Sequence, residues 1–462
     1  MARNAPRGRV DPPRLAAHDV LRSVREDDAY TNLALPAAIE KHRLGPRDAA
    51  FTTELASGTI RRQGTYDAVL AACVDRPLSK VDAAVLDALR LGTHQLLATR
   101  VPAHAAISTT VDLVRAAGKS SASGFANAVL RKVAGRDLEE WLAQVAHDPA
   151  TRHSHPAWVV EELGRAVGTD EIEALLAADN APPRVTLAAR PGRAERAELP
   201  GEPTPYSPYG VVLQGGNPAG VPAVAEGRAG VQDEGSQLVA LVLARAPLDG
   251  PDRTWVDLCA GPGGKSALLS GLAAERGAGV LAIERQHHRS RLVARTLAGA
   301  DGVTGVLTAD GTKPPLHPEM ADRVLVDAPC TGLGALRRRP EARWRRTPED
   351  LETLVPLQRL LLSAALELVR PGGVVVYATC SPVLAETAEV VTATLKTRPD
   401  VTLEDARPLL PDVPDCAGPL DRTVQLWPHR HGTDAMFMAL LRRESPGGLA
   451  DYSSERDREP QP

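Results

Sequence analysis

Two apolar, strand-like runs, Arg323-Val-Leu-Val-Asp-Ala-Pro-Cys330 and Gly373-Val-Val-Val-Tyr-Ala-Thr-Cys380, each deliver a thiol at their end. A thiolate is a strong nucleophile and can carry a covalent intermediate. The chain has five cysteines, at 73, 259, 330, 380 and 416, with no CxxC pair and no histidine spacing of the zinc type. Neither a disulfide framework nor a metal site is therefore expected. Acids also stand at or near the ends of strand-like runs: Asp257, Glu284, Asp310 and Asp327. Between Asp257 and a helical stretch lies Cys259-Ala260-Gly261-Pro262-Gly263-Gly264-Lys265. Its glycines let the backbone come close to a ligand, and the amides that open a helix suit an anionic group. The spacing is not GxGxxG, which disfavours a dinucleotide-dependent dehydrogenase. Taken in strand order, the acids describe a nucleoside pocket, with Glu284 toward ribose hydroxyls and Asp310 toward an adenine amino group.

These residues need a scaffold, and the chain supplies one over 228–443. The runs TWVDLCA, GVLAIE, GVLTAD, RVLVDAP and GVVVYATC alternate with helical stretches such as LLLSAALELV. That rhythm predicts a parallel sheet covered on both faces, with ligands at the carboxyl ends of the strands. From 13 to 134 the pattern is helical throughout: in KVDAAVLDALRLGTHQLLA, apolar or small residues recur at Val81, Val85, Ala88, Leu89, Gly92 and Leu96. Residues 151–222 read as a small α+β linking domain, two helices followed by Pro/Gly-rich loops and short strands. The tails, 1–12 and 444–462, have little to bury and are expected to be disordered.

The chain carries a formal charge of −4, which argues against indiscriminate binding of nucleic acid. Local charge differs: residues 1–135 hold 19 Lys+Arg against 13 Asp+Glu, and RRRPEARWRR (337–346) holds six arginines and one glutamate. Because screening acts over about 8 Å, such patches can hold a phosphate backbone despite the net charge. No apolar run approaches the ~20 residues of a membrane helix and no secretory signal is visible, so a cytoplasmic protein without a membrane partner is expected.

The motifs VQDEGSQ, DLCAGPGGKS, AIER, TADGT, VLVDAPCTGLG, RRRPEARWRR, YATCS and QLWPHRHGTDAMFMALLRR, in this order, resemble the RNA cytosine-5 methyltransferase family. The segments RLAAHDVLRSV, TTELASGTIRRQGTYDAVL, LRLGTHQLLATRVPAHAAI and FANAVLRK are similar to the NusB fold, an all-helical RNA-binding module. The pairing resembles the RsmB (Sun, Fmu) branch. The fold this implies is α/β: an NusB-like N-terminal domain, the linking domain, and a Rossmann-like methyltransferase domain with a mostly parallel sheet. The resemblance implies S-adenosyl-L-methionine as cofactor, held by residues 259–265, Glu284, Asp310 and Asp327. It implies Cys380 as nucleophile toward carbon 6 of a cytosine, Cys330 as the thiol that assists breakdown of the adduct, and Asp327 as the group on the cytosine amidine edge. The partner it implies is RNA, with 16S ribosomal RNA favoured and a monomeric enzyme expected. Arg61, Arg62, Arg90 and Arg131 become phosphate contacts, and 337–346 a backbone clamp beside the site. Transfer RNA remains an alternative substrate, and a non-catalytic RNA-binding assembly factor an alternative class. Three positions depart from the family pattern: Gly261 replaces a frequent alanine, expected to be without consequence; TLAARPGR replaces a Leu-Arg-Val-Asn pattern; and Ala435-Met436 replaces glycine-phenylalanine.

Overall fold

The computed structural model describes residues 11–445. Of the predicted tails, 1–12 and 444–462, residues 1–10 and 446–462 lie outside the described residues; Pro12 already opens the first helix and the Glu444 amide donates to the Asp400 carbonyl at 2.8 Å. The described residues form two compact units: one comprises 11–164, Thr169–Pro182 and Leu336–Arg346, the other Arg165–Gly168, Pro183–Ala335 and 347–445.

The first unit is helical. Prolines stand in the first turns of Pro12–Glu26 and Pro46–Arg61, where a missing N–H costs nothing, and Asp82 caps Ala83–Ala98 by accepting from the Ala84 and Val85 amides. The stripe read from sequence is the buried one: Val85, Ala88 and Leu89 join Leu55, Leu70, Val114 and Leu130 in one core.

Part of the arginine-rich segment is interior to this unit. Arg343 is fully buried, its Nη1 donating to the carbonyls of Arg61 and Ser154 and to Asn180 Oδ1, its Nη2 to the Asp179 carbonyl. Glu341 accepts from Thr31 Oγ1 at 2.7 Å, Trp344 Nε1 donates to the Ile60 carbonyl at 2.9 Å, and Arg345 pairs with Asp28 at 2.6 Å. The expected phosphate clamp is thus corrected at two of its six arginines: Arg343 and Arg337 are buried anchors of the helical unit, whereas Arg339 is exposed. Composition could not show this, since a buried arginine and a solvated one read alike. Two of the four expected phosphate contacts are corrected likewise. Arg61 is buried, and Arg90 is held by both carboxylate oxygens of Asp67 at 2.6 and 2.7 Å.

The second unit carries two sheets. Strands β1 (Thr186–Ala189), β2 (Glu202–Pro203), β3 (Gly210–Val212) and β4 (Ala229–Val231) form an antiparallel sheet in the order β2-β3-β1-β4. The linking domain expected at 151–222 is therefore divided: helix Ile172–Asp179 lies in the helical unit, the short strands in this one. The large sheet contains β5 (Thr254–Asp257), β6 (Gly279–Glu284), β7 (Val303–Thr308), β8 (Ala321–Asp327), β9 (Val369–Thr379), β10 (Val401–Glu404), β11 (Val424–Gln425) and β12 (Phe437–Arg443). Their order is β10-β12-β9-β8-β5-β6-β7, with β11 paired to β12. The five strands β9-β8-β5-β6-β7 are parallel, and β10, β11 and β12 add antiparallel pairings.

Alternation along these strands feeds two cores. Trp255, Leu325, Val374 and Val376 pack on one face with helix Glu234–Arg245, while Val256, Val324, Val326, Val375 and Tyr377 pack on the other with helix Glu349–Leu368. Burial on both faces is why these strands read as continuous apolar runs. Strand order reverses between β5 and β8, so the connections leaving their carboxyl ends diverge and open a crevice. Asp257, Asp327, Cys330 and Cys380 stand at or just beyond the carboxyl ends of β5, β8 and β9.

Candidate active site

The loop after β5 begins at Asp257, whose buried carboxylate accepts from the Cys259 amide at 3.2 Å and Ser266 Oγ at 2.6 Å. Burial pushes its pKa up to about 6, against the opposing hydrogen bond from Ser266. The Cys259 thiol is pushed well above the ordinary range, first by burial and then by the charges of Asp257, Asp327 and Glu284. A thiol so disfavoured as thiolate fits packing rather than attack. Gly263 adopts φ 110° as the residue before helix Gly264–Ala274, a conformation costly for any residue with a Cβ.

Glu284, at the end of β6, lies beneath the loop. Its Oε2 accepts from the Gly261 amide at 3.1 Å and its Oε1 from the Gln286 amide at 2.9 Å, while Arg289 Nη2 donates to the Gly261 carbonyl at 2.7 Å. A Cβ on Gly261 would fall 2.1 Å from Glu284 Oε2. The expectation that this glycine is without consequence needs amending: lacking a methyl, it lets the loop close on the Glu284 carboxylate. Asp310, after β7, accepts from the amide and hydroxyl of Thr312 at 2.9 and 2.8 Å. Those bonds, the backbone one first, hold its pKa below the usual carboxylate value. Its side chain is 46% exposed, so it belongs to the rim and not to the buried cluster. A cavity of about 250 Å³ borders the outer side of the loop at Pro262 and Gly264, lined also by Arg190, Gln232, Leu292 and Thr296. None of the acids or thiols lines it.

The central cluster joins three strand ends. Lys265, in the first turn of its helix, donates through Nζ to Asp327 Oδ2 at 2.7 Å. Burial opposes the ammonium, but Asp327 and, after it, Cys380 and Asp257 outweigh that cost, and the Lys265 pKa lies above its ordinary value. Cys330 and Cys380, 50 residues apart, stand with their sulfurs 3.5 Å from each other. This follows from register: β8 and β9 are adjacent and parallel, with Asp327 opposite Ala378, so both chains leave the sheet side by side. Gly334 N–H donates to the Cys380 carbonyl at 2.9 Å, tying the loop after Cys330 back to the second thiol. The Cys330 thiol is pushed well above the ordinary range, first by its hydrogen bond to Cys380, then by burial and by the charges of Cys380 and Glu386. Charge interactions link Cys330 to Glu386 and Cys380 to the Lys265 ammonium.

The structure therefore brings together Lys265 with Asp327, Cys330 with Cys380, and Gly261 with Glu284, and leaves Asp310 apart with its own turn. Sequence reading did not single out Arg289, Thr331, Gln358, Ser381 or Glu386, all of which bond to site loops or to one another. Thr331 and Ser381 directly follow the two cysteines, a repetition that is visible in the sequence.

Residues 243–442 match the family model described as 16S rRNA methyltransferase RsmB/F, and residues 11–135 match the NusB family. The Mycobacterium tuberculosis (strain H37Rv) protein Rv1407, named as a methyltransferase with no stated substrate, is 52% identical over 450 residues, 94% of this chain and 97% of that one. The ribosomal RNA small subunit methyltransferase B of Pseudomonas putida is 36% identical over 400 residues, 84% of this chain and 89% of that one. The crystal structure of PH0851 aligns with TM-score 0.77 at 25% identity, covering 94% of this chain and 99% of the other.

Proposed function

We propose, from the premise that this chain belongs to the RsmB/F family of 16S rRNA methyltransferases, that it methylates carbon 5 of a cytosine in 16S ribosomal RNA through a covalent Cys380 adduct. The observation that carries this reading is the 3.5 Å approach of Cys330 Sγ to Cys380 Sγ beside the Lys265–Asp327 pair. Carbon 5 of cytosine is a poor nucleophile while the ring is aromatic. Addition of the Cys380 thiolate to carbon 6 breaks the aromaticity and makes carbon 5 enamine-like. Lys265 favours the thiolate, since a nearby cation stabilises S⁻. Asp327 holds the amidine edge of the base, one of its oxygens already fixed by Lys265. Cys330, its thiol 3.5 Å from Cys380 Sγ, is suited to the second half of the cycle: it gives its proton to the departing Cys380 sulfur and, as thiolate, takes the carbon-5 proton.

The residues fit S-adenosyl-L-methionine as cofactor. Helix Gly264–Ala274 opens at Gly263 with no side-chain cap on its first amides, and Glu284 and Asp310 offer carboxylates at the ends of successive strands. Residues 259–265 would hold its amino-acid part, Glu284 its ribose and Asp310 its adenine. When bound, it supplies an electrophilic methyl on sulfonium sulfur. The target base must leave its stack to reach this crevice, so the RNA presents it unpaired or locally opened. A cytoplasmic site of action follows from a ribosomal RNA substrate; among the described residues no helix is long and apolar enough to cross a membrane.

The test is incubation of the purified protein with labelled cofactor and, separately, 16S ribosomal RNA and transfer RNA, followed by bisulfite sequencing. The expected product is 5-methylcytosine in the 16S RNA alone. Label on transfer RNA only, or on an atom other than carbon 5, would overturn the assignment.

A further inference from the structure

Four residues beyond Cys380 the chain begins a single 3-10 turn, Leu384–Glu386, and buries Glu386 completely. A carboxylate removed from water costs several kcal/mol unless its oxygens are satisfied. Here Oε1 accepts from the Thr331 amide at 2.8 Å and from Gln358 Nε2 at 3.0 Å, and Oε2 accepts from the Thr331 hydroxyl. Gln358 Nε2 also donates to the Pro329 carbonyl at 2.9 Å. With the Thr331 proton directed at Glu386, the 3.0 Å contact between Thr331 Oγ1 and Ser381 Oγ requires Ser381 to donate. The Glu386 carbonyl accepts from Tyr377 on β9 at 2.7 Å, anchoring the turn to the sheet.

The pattern is specific. The network grips the carbonyl just before Cys330, the amide just after it, and the side chain just after Cys380. It touches neither Lys265 nor Asp327. We propose that Glu386 is a positioning residue that holds Cys330 Sγ against Cys380 Sγ, through Thr331, Gln358 and Ser381. The inference rests on the roles given above to the two thiols. A carboxylate suits the task because three donors converge on it. Glutamine of the same shape can keep two acceptor contacts only if the Thr331 hydroxyl reverses toward Ser381; alanine keeps none.

Two readouts separate this role from general loss of structure. Diamide oxidises two neighbouring thiols to a disulfide, its N=N bond taking up both electrons and both protons. The rate at which the full-length protein joins Cys330 to Cys380, followed by peptide mass spectrometry, therefore reports thiol juxtaposition without any catalysis. A disulfide needs the Cβ atoms about 3.5–4.5 Å apart, so small displacements register. Wild type should link readily, Glu386→Ala at least tenfold more slowly, and Glu386→Gln between them. With S-adenosylmethionine and 16S RNA, Glu386→Ala should accumulate a denaturation-resistant protein–RNA adduct, because Cys380 still attacks while Cys330 is displaced, with cofactor affinity within twofold of wild type. If Glu386→Ala does not fold, Gln358→Ala frees the Pro329 carbonyl and is expected to slow linkage in the same direction. Wild-type linkage and turnover in the folded variants would overturn the positioning role. Slowed linkage with no adduct, even in Cys330→Ala, would instead leave positioning standing and remove the covalent reading beneath it.

Discussion

Replacing Arg343 with methionine tests its reassignment from RNA clamp to buried anchor. The guanidinium is fully buried and donates to four acceptors, at 2.8 Å to Asn180 Oδ1, 3.1 Å to the Ser154 carbonyl and 3.3 Å to the carbonyls of Arg61 and Asp179. Stranding buried acceptors costs about 1–3 kcal/mol each, the two long contacts at the low end, for a gross loss of roughly 6 kcal/mol. Part of this returns, because the charge itself is held at a cost: burial pushes the Arg343 pKa down to about 9, which still leaves it protonated at neutral pH. With about half the gross loss offset, a net of ~3 kcal/mol remains, at the low end for breaking a buried charged network. For a unit of this size that lowers the melting temperature by roughly 6–12 °C. The assay is thermal unfolding of the full chain, paired with 16S RNA binding at several salt concentrations. A phosphate-contacting arginine would instead leave stability alone and flatten the salt dependence by about one unit of slope. Unchanged melting together with a flattened slope would refute the anchor and restore the clamp.

Two further outcomes follow from charge. Lys265→Met removes the cation that interacts with Asp327 and Cys380, so alkylation of Cys380 by iodoacetamide at neutral pH should slow by about tenfold, because a nearby cation favours the thiolate; an unchanged rate would remove Lys265 from thiol activation. Asp257, with a folded pKa of about 6 against an ordinary 3.8, binds its proton more tightly folded than unfolded. Its stabilising contribution is therefore complete below pH ~4 and is lost as pH rises through 6, about 3 kcal/mol in all. Asp257→Asn should lack that slope in denaturation midpoints collected from pH 4 to 7.5, and parallel curves for the two proteins would contradict the shift.

The parts of this molecule that were legible in the sequence are those whose burial leaves a periodic trace. Strands β5, β6, β8 and β9 are apolar on both faces and end in polar residues, so both the sheet and the positions of Asp257, Glu284, Asp327 and Cys380 could be read. The helices of 13–134 were legible for the same reason. Arg343 was not, because its solvation is decided by partners more than 150 residues distant in sequence. Glu386 escaped for a related reason: a carboxylate amid Leu384, Ala385 and Thr387 looks like a solvated surface residue until Thr331 and Gln358 are brought to it by the sheet. Glu284 was found, but not its hydrogen bond to Gly261, which depends on a conformation of the loop that no residue count specifies.

The covalent mechanism is tested most directly by substituting each thiol singly and looking for protein joined to RNA on a denaturing gel after incubation with S-adenosylmethionine and 16S RNA. Cys380→Ala lacks the attacking sulfur, so neither methylation nor adduct is expected. Cys330→Ala retains attack and methyl transfer but not release, so a slow band of protein bound to methylated RNA is expected. An adduct formed by Cys380→Ala, or normal turnover by Cys330→Ala, would contradict the division of labour between the two sulfurs.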